Sequence, residues 1–334
     1  MSVPIIICDD SSVARKQVTR ALPPGWDVEI TYATNGREGV EAVAARKGDV
    51  LFLDLTMPEM DGFEVLEYIR ANDLPTVPIV ISGDIQPDSY KRVMQLGAVA
   101  FIKKPVDAEE LCKILDDYGV LDILTGADIP KAPVRLDQSG TINFSDWCQE
   151  ISNVAMGRAA DLLSKVIDDT VLLSIPKVNT LESSDLHMML SAAGSDGSVL
   201  AINQGFIGRG VAGETMIIFE RQDIGKIAPL MGHVGELDEI AIYELTMEVA
   251  NILVGAFLKG FSEQLDINLS QGHPDIYVQS GGAAMPSHAV DSILAIELTY
   301  TLGADKIHCD QLVFFTQGSQ QELQLRMDYA VGNI

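Results

Sequence analysis

The pattern Asp146-Trp-Cys-Gln-Glu150-Ile-Ser-Asn153 returns 98 residues later as Glu244-Leu-Thr-Met-Glu248-Val-Ala-Asn251. Laid over one another without gaps, the two copies also align Gly157 with Gly255, Ser164 with Ser262, Asp168 with Asp266 and Pro176 with Pro274. Whatever the first copy builds, the second must be able to build too. At about 100° per residue, positions i, i+4 and i+7 of a helix share one narrow stripe. Trp147, Ile151, Val154 and Ala155 fall on the other side, as do Leu245, Val249, Ile252 and Leu253. Each copy is therefore expected to be a helix anchored by its apolar side and displaying two acids and an amide. A bare Glu-x-x-Asn arises about once by chance in a chain this long, at ordinary usages of roughly 6% and 4%. A duplicated one, with an acid before it and a proline at one fixed distance after it, does not.

Upstream, Val3 to Cys8 is a short β-rich run ending on Asp9-Asp10, and Ser11-Ser12 can cap a helix over 12–22. Strand-like runs at 28–32, 50–54, 79–82 and 99–102 alternate with helical stretches near 36–46, 61–71, 88–96 and 107–117. Continuous apolar strands joined by helices predict a doubly wound five-stranded parallel α/β sheet, with any site at the strands' carboxyl ends. Asp9, Asp10, Asp54, Ser82 and Lys104 all fall there. Three carboxylates in one pocket repel one another unless they are protonated or bind a cation, and open hard-oxygen ligands suit Mg²⁺. Beside that ion Asp54 could accept a phosphoryl group, with Ser82 and Lys104 holding its oxygens.

These residues resemble the receiver domain of two-component response regulators. The resemblance rests on Asp9-Asp10, on Asp54 in Leu-Phe-Leu-Asp54-Leu-Thr-Met-Pro-Glu-Met-Asp-Gly, on Ser82 in Val-Ile-Ser-Gly, and on Lys104-Pro105, and it covers nearly all of 1–119. It implies that Asp54 takes phosphate from a histidine kinase and that Mg²⁺ uses Asp9, Asp10, Asp54 and the Thr56 carbonyl. It further implies that Lys104 senses the phosphoryl group and that Phe101 is the switch aromatic. Lys103 is the neighbouring candidate, but only Lys104 immediately precedes the proline.

Residues 120–140, punctuated by Gly, Pro and Asp, read as a linker between a 1–119 domain and a 141–334 domain. After the first signature helix come Asp196-Gly197 and strands at 198–202 and 214–219; after the second come Asp291, then strands at 292–296 and 311–315. Between them, 221–232 reads as a short helix. Neither half could bury much alone, so one α+β domain is expected in which the two copies share a sheet about a pseudo-twofold axis.

This half resembles the CheC, CheX and FliY family of chemotaxis phosphatases, whose signature is Asp or Ser, three residues, Glu, two, Asn, twenty-two, Pro. Asp146, Glu150, Asn153 and Pro176 match throughout; in the second copy Glu244 replaces the Asp or Ser, and Glu248, Asn251 and Pro274 match. Two copies favour the CheC branch. The resemblance implies a hydrolase acting on the aspartyl phosphate of a receiver protein. Asn153 and Asn251 would hold an in-line water while Glu150 and Glu248 pair with the receiver's lysine. The whole chain then reads as a chemotaxis-type response regulator whose phosphatase is regulated by phosphorylation of Asp54. The alternatives are a sink that dephosphorylates its own receiver, in cis or across a homodimer, and a non-enzymatic signalling adaptor.

A formal net charge of -25 argues against a nucleic-acid surface, which needs Lys and Arg to displace counterions. No uninterrupted apolar run approaches the roughly 18 residues of a membrane span, and the amino terminus lacks a signal-peptide pattern, so a cytoplasmic protein without membrane insertion is expected. Four scattered cysteines and five scattered histidines suggest neither a disulfide framework nor a zinc site.

Overall fold

The computed structural model describes residues 2–117, 142–181, 198–235, 237–277, 293–304 and 306–331. The expected linker 120–140 and the residues Asp196, Gly197, Asp291 and Ser292 lie outside them. The chain divides into two compact units, Met1–Glu150 and Ile151–Ile334.

In the first unit, β1 (Val3–Cys8), β2 (Val28–Ala33), β3 (Val50–Leu53), β4 (Val77–Ser82) and β5 (Ala100–Lys103) alternate with five helices. These are α1 (Ser12–Ala21), α2 (Gly36–Ala44), α3 (Gly62–Ala71), α4 (Pro87–Gln95) and α5 (Ala108–Asp117). The strands form one parallel sheet in the order β2-β1-β3-β4-β5, as the βα alternation predicts. Side chains alternate across a strand, so β1 feeds two cores. Ile5 and Ile7 pack with Phe52, Ile79, Ile102 and the α1 and α5 residues Val18 and Leu111. Ile6 and Cys8 pack with Leu51, Leu53, Val80 and residues of α2 and α3 such as Val43 and Leu66. Covered on both faces, the sheet leaves the carboxyl ends of its strands as the place for polar chemistry.

A sixth helix, α6 (Phe144–Ile167), begins in the first unit and continues into the second. Its start is set by Asn143, whose Oδ1 accepts the Asp146 N–H at 2.7 Å. Of the side predicted to be buried, Trp147, Ile151, Val154 and Ala155 are all buried.

The second unit continues with β6 (Val171–Leu173), β7 (Lys177–Leu181), β8 (Val199–Gly208), β9 (Val211–Glu220), α7 (Ile224–Leu230) and α8 (Glu239–Gln264). It ends with β10 (Ser270–Gln271), β11 (Asp275–Tyr277), β12 (Ile293–Leu302), β13 (Ile307–Phe315) and α9 (Gln317–Val331). All pairings in its eight-stranded sheet are antiparallel. The order is β10-β8-β9-β13-β12-β6, with β11 also on β8 and β7 also on β12. Strands that follow α6 thus pair with β12, and strands that follow α8 pair with β8. Arg209 and Gly210 join β8 to β9 with φ of 43° and 81°, the left-handed pair that a two-residue primed hairpin turn needs. A buried polar chain ties three strands together: Tyr300 donates to Gln311 at 3.0 Å, and Gln311 donates to Thr215 at 3.1 Å.

The two long helices end alike. Ser164 and Ser262 each turn a hydroxyl back to the carbonyl three residues earlier, at 3.0 and 2.9 Å. Asp168 and Asp266 are left-handed at φ 50° and 51°. The next residue, Asp169 or Ile267, donates its N–H to the carbonyl of the same serine, closing the helix in the manner of a Schellman cap.

Five elements were not foreseen: β6, β7, β10, β11 and α9. The strands are short, and α9 is rich in glutamine, with Leu323 and Met327 as its buried anchors; neither carries a strong periodic signal. A count of uninterrupted apolar residues also passed over α8, which by length and composition is apolar enough to cross a membrane. A core helix of a soluble domain meets the same test, and Leu245, Val249, Leu253, Phe257 and Phe261 of α8 are buried within the protein.

Candidate functional site

The carboxyl ends of β1, β3 and β5 bring Asp9, Asp10, Asp54 and Lys104 together. One carboxylate oxygen from each of Asp9, Asp10 and Asp54 lies within 4.8 Å of the others. Lys104 Nζ sits 2.8 Å from Asp9 Oδ2 and 3.2 Å from Asp54 Oδ1. The acid pair is held by the start of α1: the Ser11 N–H donates to Asp9 Oδ1 at 2.8 Å. Arg15, one turn further on, donates to the carbonyls of Asp9 and Asp10 at 2.6 and 3.1 Å. The Thr56 N–H donates to Asp54 Oδ2 at 3.0 Å, which places Thr56 beside that carboxylate.

Ser82 is buried at the end of β4, and its Oγ accepts the Asp84 N–H at 3.1 Å. Asp84 in turn takes hydrogen bonds from Gln86 and Ser89, so the loop that carries Ser82 is braced by its own side chains. Phe101 is half-buried on β5 and meets Tyr90 of α4 edge-on, with ring centroids 5.8 Å apart. The Lys104–Pro105 peptide is cis.

The first turns of α6 belong to the same unit and complete this site. Glu150 Oε1 lies 3.3 Å from Lys104 Nζ. Ser12 donates its hydroxyl to Asp146 Oδ2 at 3.1 Å, and Gln149 donates its amide to Asp10 Oδ2 at 3.4 Å. These contacts tie the first turns of α6, as far as Glu150, to the first unit. They also correct an expectation. The stripe of α6 is not displayed: Glu150 and Asn153 are 3% and 7% exposed, and Asp146 is half-buried. On α8 the expectation holds, with Glu244, Glu248 and Asn251 all exposed.

Four carboxylates surround one ammonium group, and the electrostatics follow from that imbalance. Burial pushes Asp10 up to about 7, and the charge of Asp9 adds to the effect. Burial likewise raises Asp54 and Glu150 above the usual carboxylate range, against the opposing pull of Lys104. Burial alone would lower Lys104, but Asp54, Asp9 and Glu150 outweigh it and hold the ammonium well above its ordinary value. Crowded carboxylates of this kind are the environment a hard divalent cation relieves. Asp9, Asp10 and Asp54 therefore fit a Mg²⁺ site by their donor type and their mutual spacing.

Ser11 and Ser12 were read from sequence only as a helix cap, which Ser11 provides by accepting the Ala14 N–H; Arg15 and Gln149 were not singled out. Arg15 had a faint signal, a cation one turn into the helix that follows an acid pair. Gln149 had none, because its partner Asp10 is remote in the chain.

Fold and site together define a receiver. Residues 5–116 match the response regulator receiver domain family, so the chain carries an amino-terminal receiver domain of that family. Among curated proteins, a protein-glutamate methylesterase/protein-glutamine glutaminase of Geobacter sulfurreducens is 38% identical over 116 residues, 34% of this chain and 31% of that protein. The probable transcriptional regulatory protein NarL of Mycobacterium tuberculosis is 33% identical over 128 residues, 38% of this chain and 57% of that protein. The chain thus spans under a third of the first relative's length, and about half of the second's. Among solved structures, the NarL receiver domain of M. tuberculosis is similar at 32% identity with a TM-score of 0.33, covering 38% of this chain and 98% of that one. Thermotoga maritima FliY is similar at 22% identity with a TM-score of 0.42, covering 57% of this chain and 98% of that one.

Proposed function

We propose that this response regulator hydrolyses receiver aspartyl phosphate through the acid–amide pairs Glu150 with Asn153 and Glu248 with Asn251. The observation that best supports the reading is the 3.3 Å approach of Glu150 to Lys104: the glutamate of the motif meets the lysine beside a phosphoacceptor. The second unit reads as a duplicated α+β fold of the CheC type, supported by the reciprocal strand pairings and the matching helix ends. The activity named for the Geobacter relative is not carried over, because the similarity spans only the length of a receiver.

Receivers accept phosphate from histidine kinases or phosphotransfer proteins, and Asp54 is the acceptor here. In hydrolysis the oxygen of a water forms a bond to phosphorus while the phosphorus bond to the aspartate oxygen breaks. The products are a free carboxylate and inorganic phosphate, formed as dihydrogen phosphate with both of the water's protons. A water so placed needs a partner that both accepts from it and donates to it, and an asparagine amide does both. Asn153 follows Glu150 by three residues, a rise of about 4.5 Å along the helix, so a glutamate seated on a receiver's lysine fixes where the amide stands. A hundredfold acceleration needs only about 2.7 kcal/mol, within reach of water positioning without a covalent intermediate. Bound Mg²⁺, held by Asp9, Asp10, Asp54 and the Thr56 carbonyl, would neutralise charge on the phosphoryl oxygens. Ser82 and Lys104 are placed to hold those oxygens, with Phe101 as the reporting aromatic.

In this reading the cytoplasmic chain works on a separate receiver, and phosphorylation of Asp54 sets its activity. A second reading, a phosphate sink that clears its own Asp54, is favoured by one specific observation: the lysine that Glu150 meets belongs to the same chain. The test follows phosphate release from a phosphorylated free receiver and from the chain itself. Wild type is compared with Asn153→Ala, Asn251→Ala and the double variant. The double variant is expected to lose at least about a hundredfold on both substrates. A double variant as fast as wild type would leave only the adaptor alternative standing.

A further inference from the structure

We infer that the two copies have divided their work: Asp146 and Gln149 commit the first to this chain's own receiver, leaving the second to take separate receivers. The inference rests on the phosphatase reading and adds specificity to it. Three contacts hold the start of α6 on the acceptor pocket. Glu150 meets Lys104 on one side, while Asp146 and Gln149 meet Ser12 and Asp10 on the other. Any receiver with the common acid pair and lysine offers the contacts that Glu150 and Gln149 make. The contact to Ser12 depends on the residue that follows the acid pair by two positions, which makes it particular to this receiver.

The second copy cannot repeat the set. Met247 stands where Gln149 stands in the first, and a thioether donates no hydrogen bond. Glu244 replaces Asp146 with a side chain one methylene longer. What the second copy retains is Glu248 and Asn251, and these are exposed together with Glu244. The acidic face of α8 fits a partner of known chemistry, the lysine-bearing pocket of another receiver, because Glu150 with Lys104 gives the pattern of that contact.

The test separates intrachain from interchain hydrolysis. Intrachain decay is followed on full-length protein labelled at Asp54 with acetyl phosphate. Interchain decay is followed on a free CheY-type receiver labelled with phosphoramidate and mixed with the Asp54→Ala chain. Gln149→Ala and Asp146→Ala should each slow intrachain decay by about tenfold or slightly more, the worth of a hydrogen bond to a charged group at the modest end. Decay of the free receiver should stay within about twofold of wild type. Asn153→Ala should affect the intrachain reaction and Asn251→Ala the interchain one. Ser12→Ala combined with Asp146→Ala should cost no more than either alone, as expected for two ends of one contact.

Equal losses on both substrates, or no intrachain loss, would overturn the division while leaving the phosphatase intact. If wild type hydrolyses neither substrate, the phosphatase reading itself fails. The hold on the pocket then has its own readout: initial phosphoryl uptake by Asp54 from acetyl phosphate, measured in the Asn153→Ala/Asn251→Ala background. Gln149→Ala should raise that rate about fivefold, and an unchanged rate would overturn the commitment of α6 to its own receiver.

Discussion

The two long helices carry one spacing of acids and amide and put it in opposite surroundings. On α6, Glu150 is buried against Lys104 and Asn153 is buried; on α8, Glu248 and Asn251 face solvent. Their apolar sides are alike, with Trp147, Ile151 and Val154 matched by Leu245, Val249 and the half-buried Ile252. The difference therefore lies in what meets the polar stripe. It teaches that a repeated motif fixes the geometry of its own side chains and leaves their electrostatics to the neighbours. A carboxylate in water costs nothing to keep charged, whereas one enclosed with three other acids depends on a single lysine.

The comparison can be broken at several points. The largest effects should come from the shared anchors. Trp147→Ala, which also loses the stacked Phe144 ring at 6.3 Å, is expected to cost about 3–5 kcal/mol and Leu245→Ala about 2–5 kcal/mol in urea denaturation. A cost near zero for either would mean that the two helices are not anchored alike.

Next comes the metal. Asp10 is raised to about 7, so its carboxyl favours the folded state while protonated. That contribution is complete below the unfolded value near 3.9 and is lost as the pH rises through about 7. Mg²⁺ binds the ionised form, so it should raise the Tm more at pH 8 than at pH 5.5, by several degrees in a calorimetric scan. An equal rise at both pH values would remove these acids from the metal site.

The smaller effects set the two glutamates directly against each other. Glu150 is raised by burial, so its ionisation takes stability away as the pH climbs from the ordinary glutamate range toward its folded value. Glu150→Gln should therefore flatten the fall in stability across that window. Glu248→Gln should change stability by no more than about 0.5 kcal/mol at any pH, as surface substitutions do. Matching pH profiles for the two variants would show that the contrast in burial has no energetic consequence.

Much of this was readable in the chain. Asp9, Asp10, Asp54, Ser82 and Lys104 could be gathered from sequence because a parallel sheet with helical crossovers puts every strand's carboxyl end on one side. The strand and helix limits of the receiver differ from expectation by no more than two residues, since continuous apolar runs bounded by acids leave little freedom. What Ser12, Arg15 and Gln149 meet was not readable. Their partners are set by how a helix lies across strands far away in the chain, and periodicity reports a helix's face without naming what that face meets. The same limit misplaced the stripe of α6 in solvent.

By itself, then, the sequence determined that five βα units bring an acid cluster and a lysine to one edge, and that two related helices each bear an acid–amide pair opposite an apolar side. These follow from local rules: strand alternation, helix period, and a register held from Asp146 to Pro176 and again from Glu244 to Pro274. Only the tertiary structure decided that Glu150 lies 3.3 Å from Lys104 while Glu248 stays in water. Contacts between residues distant in sequence depend on packing of whole elements, and the same local pattern is compatible with either outcome.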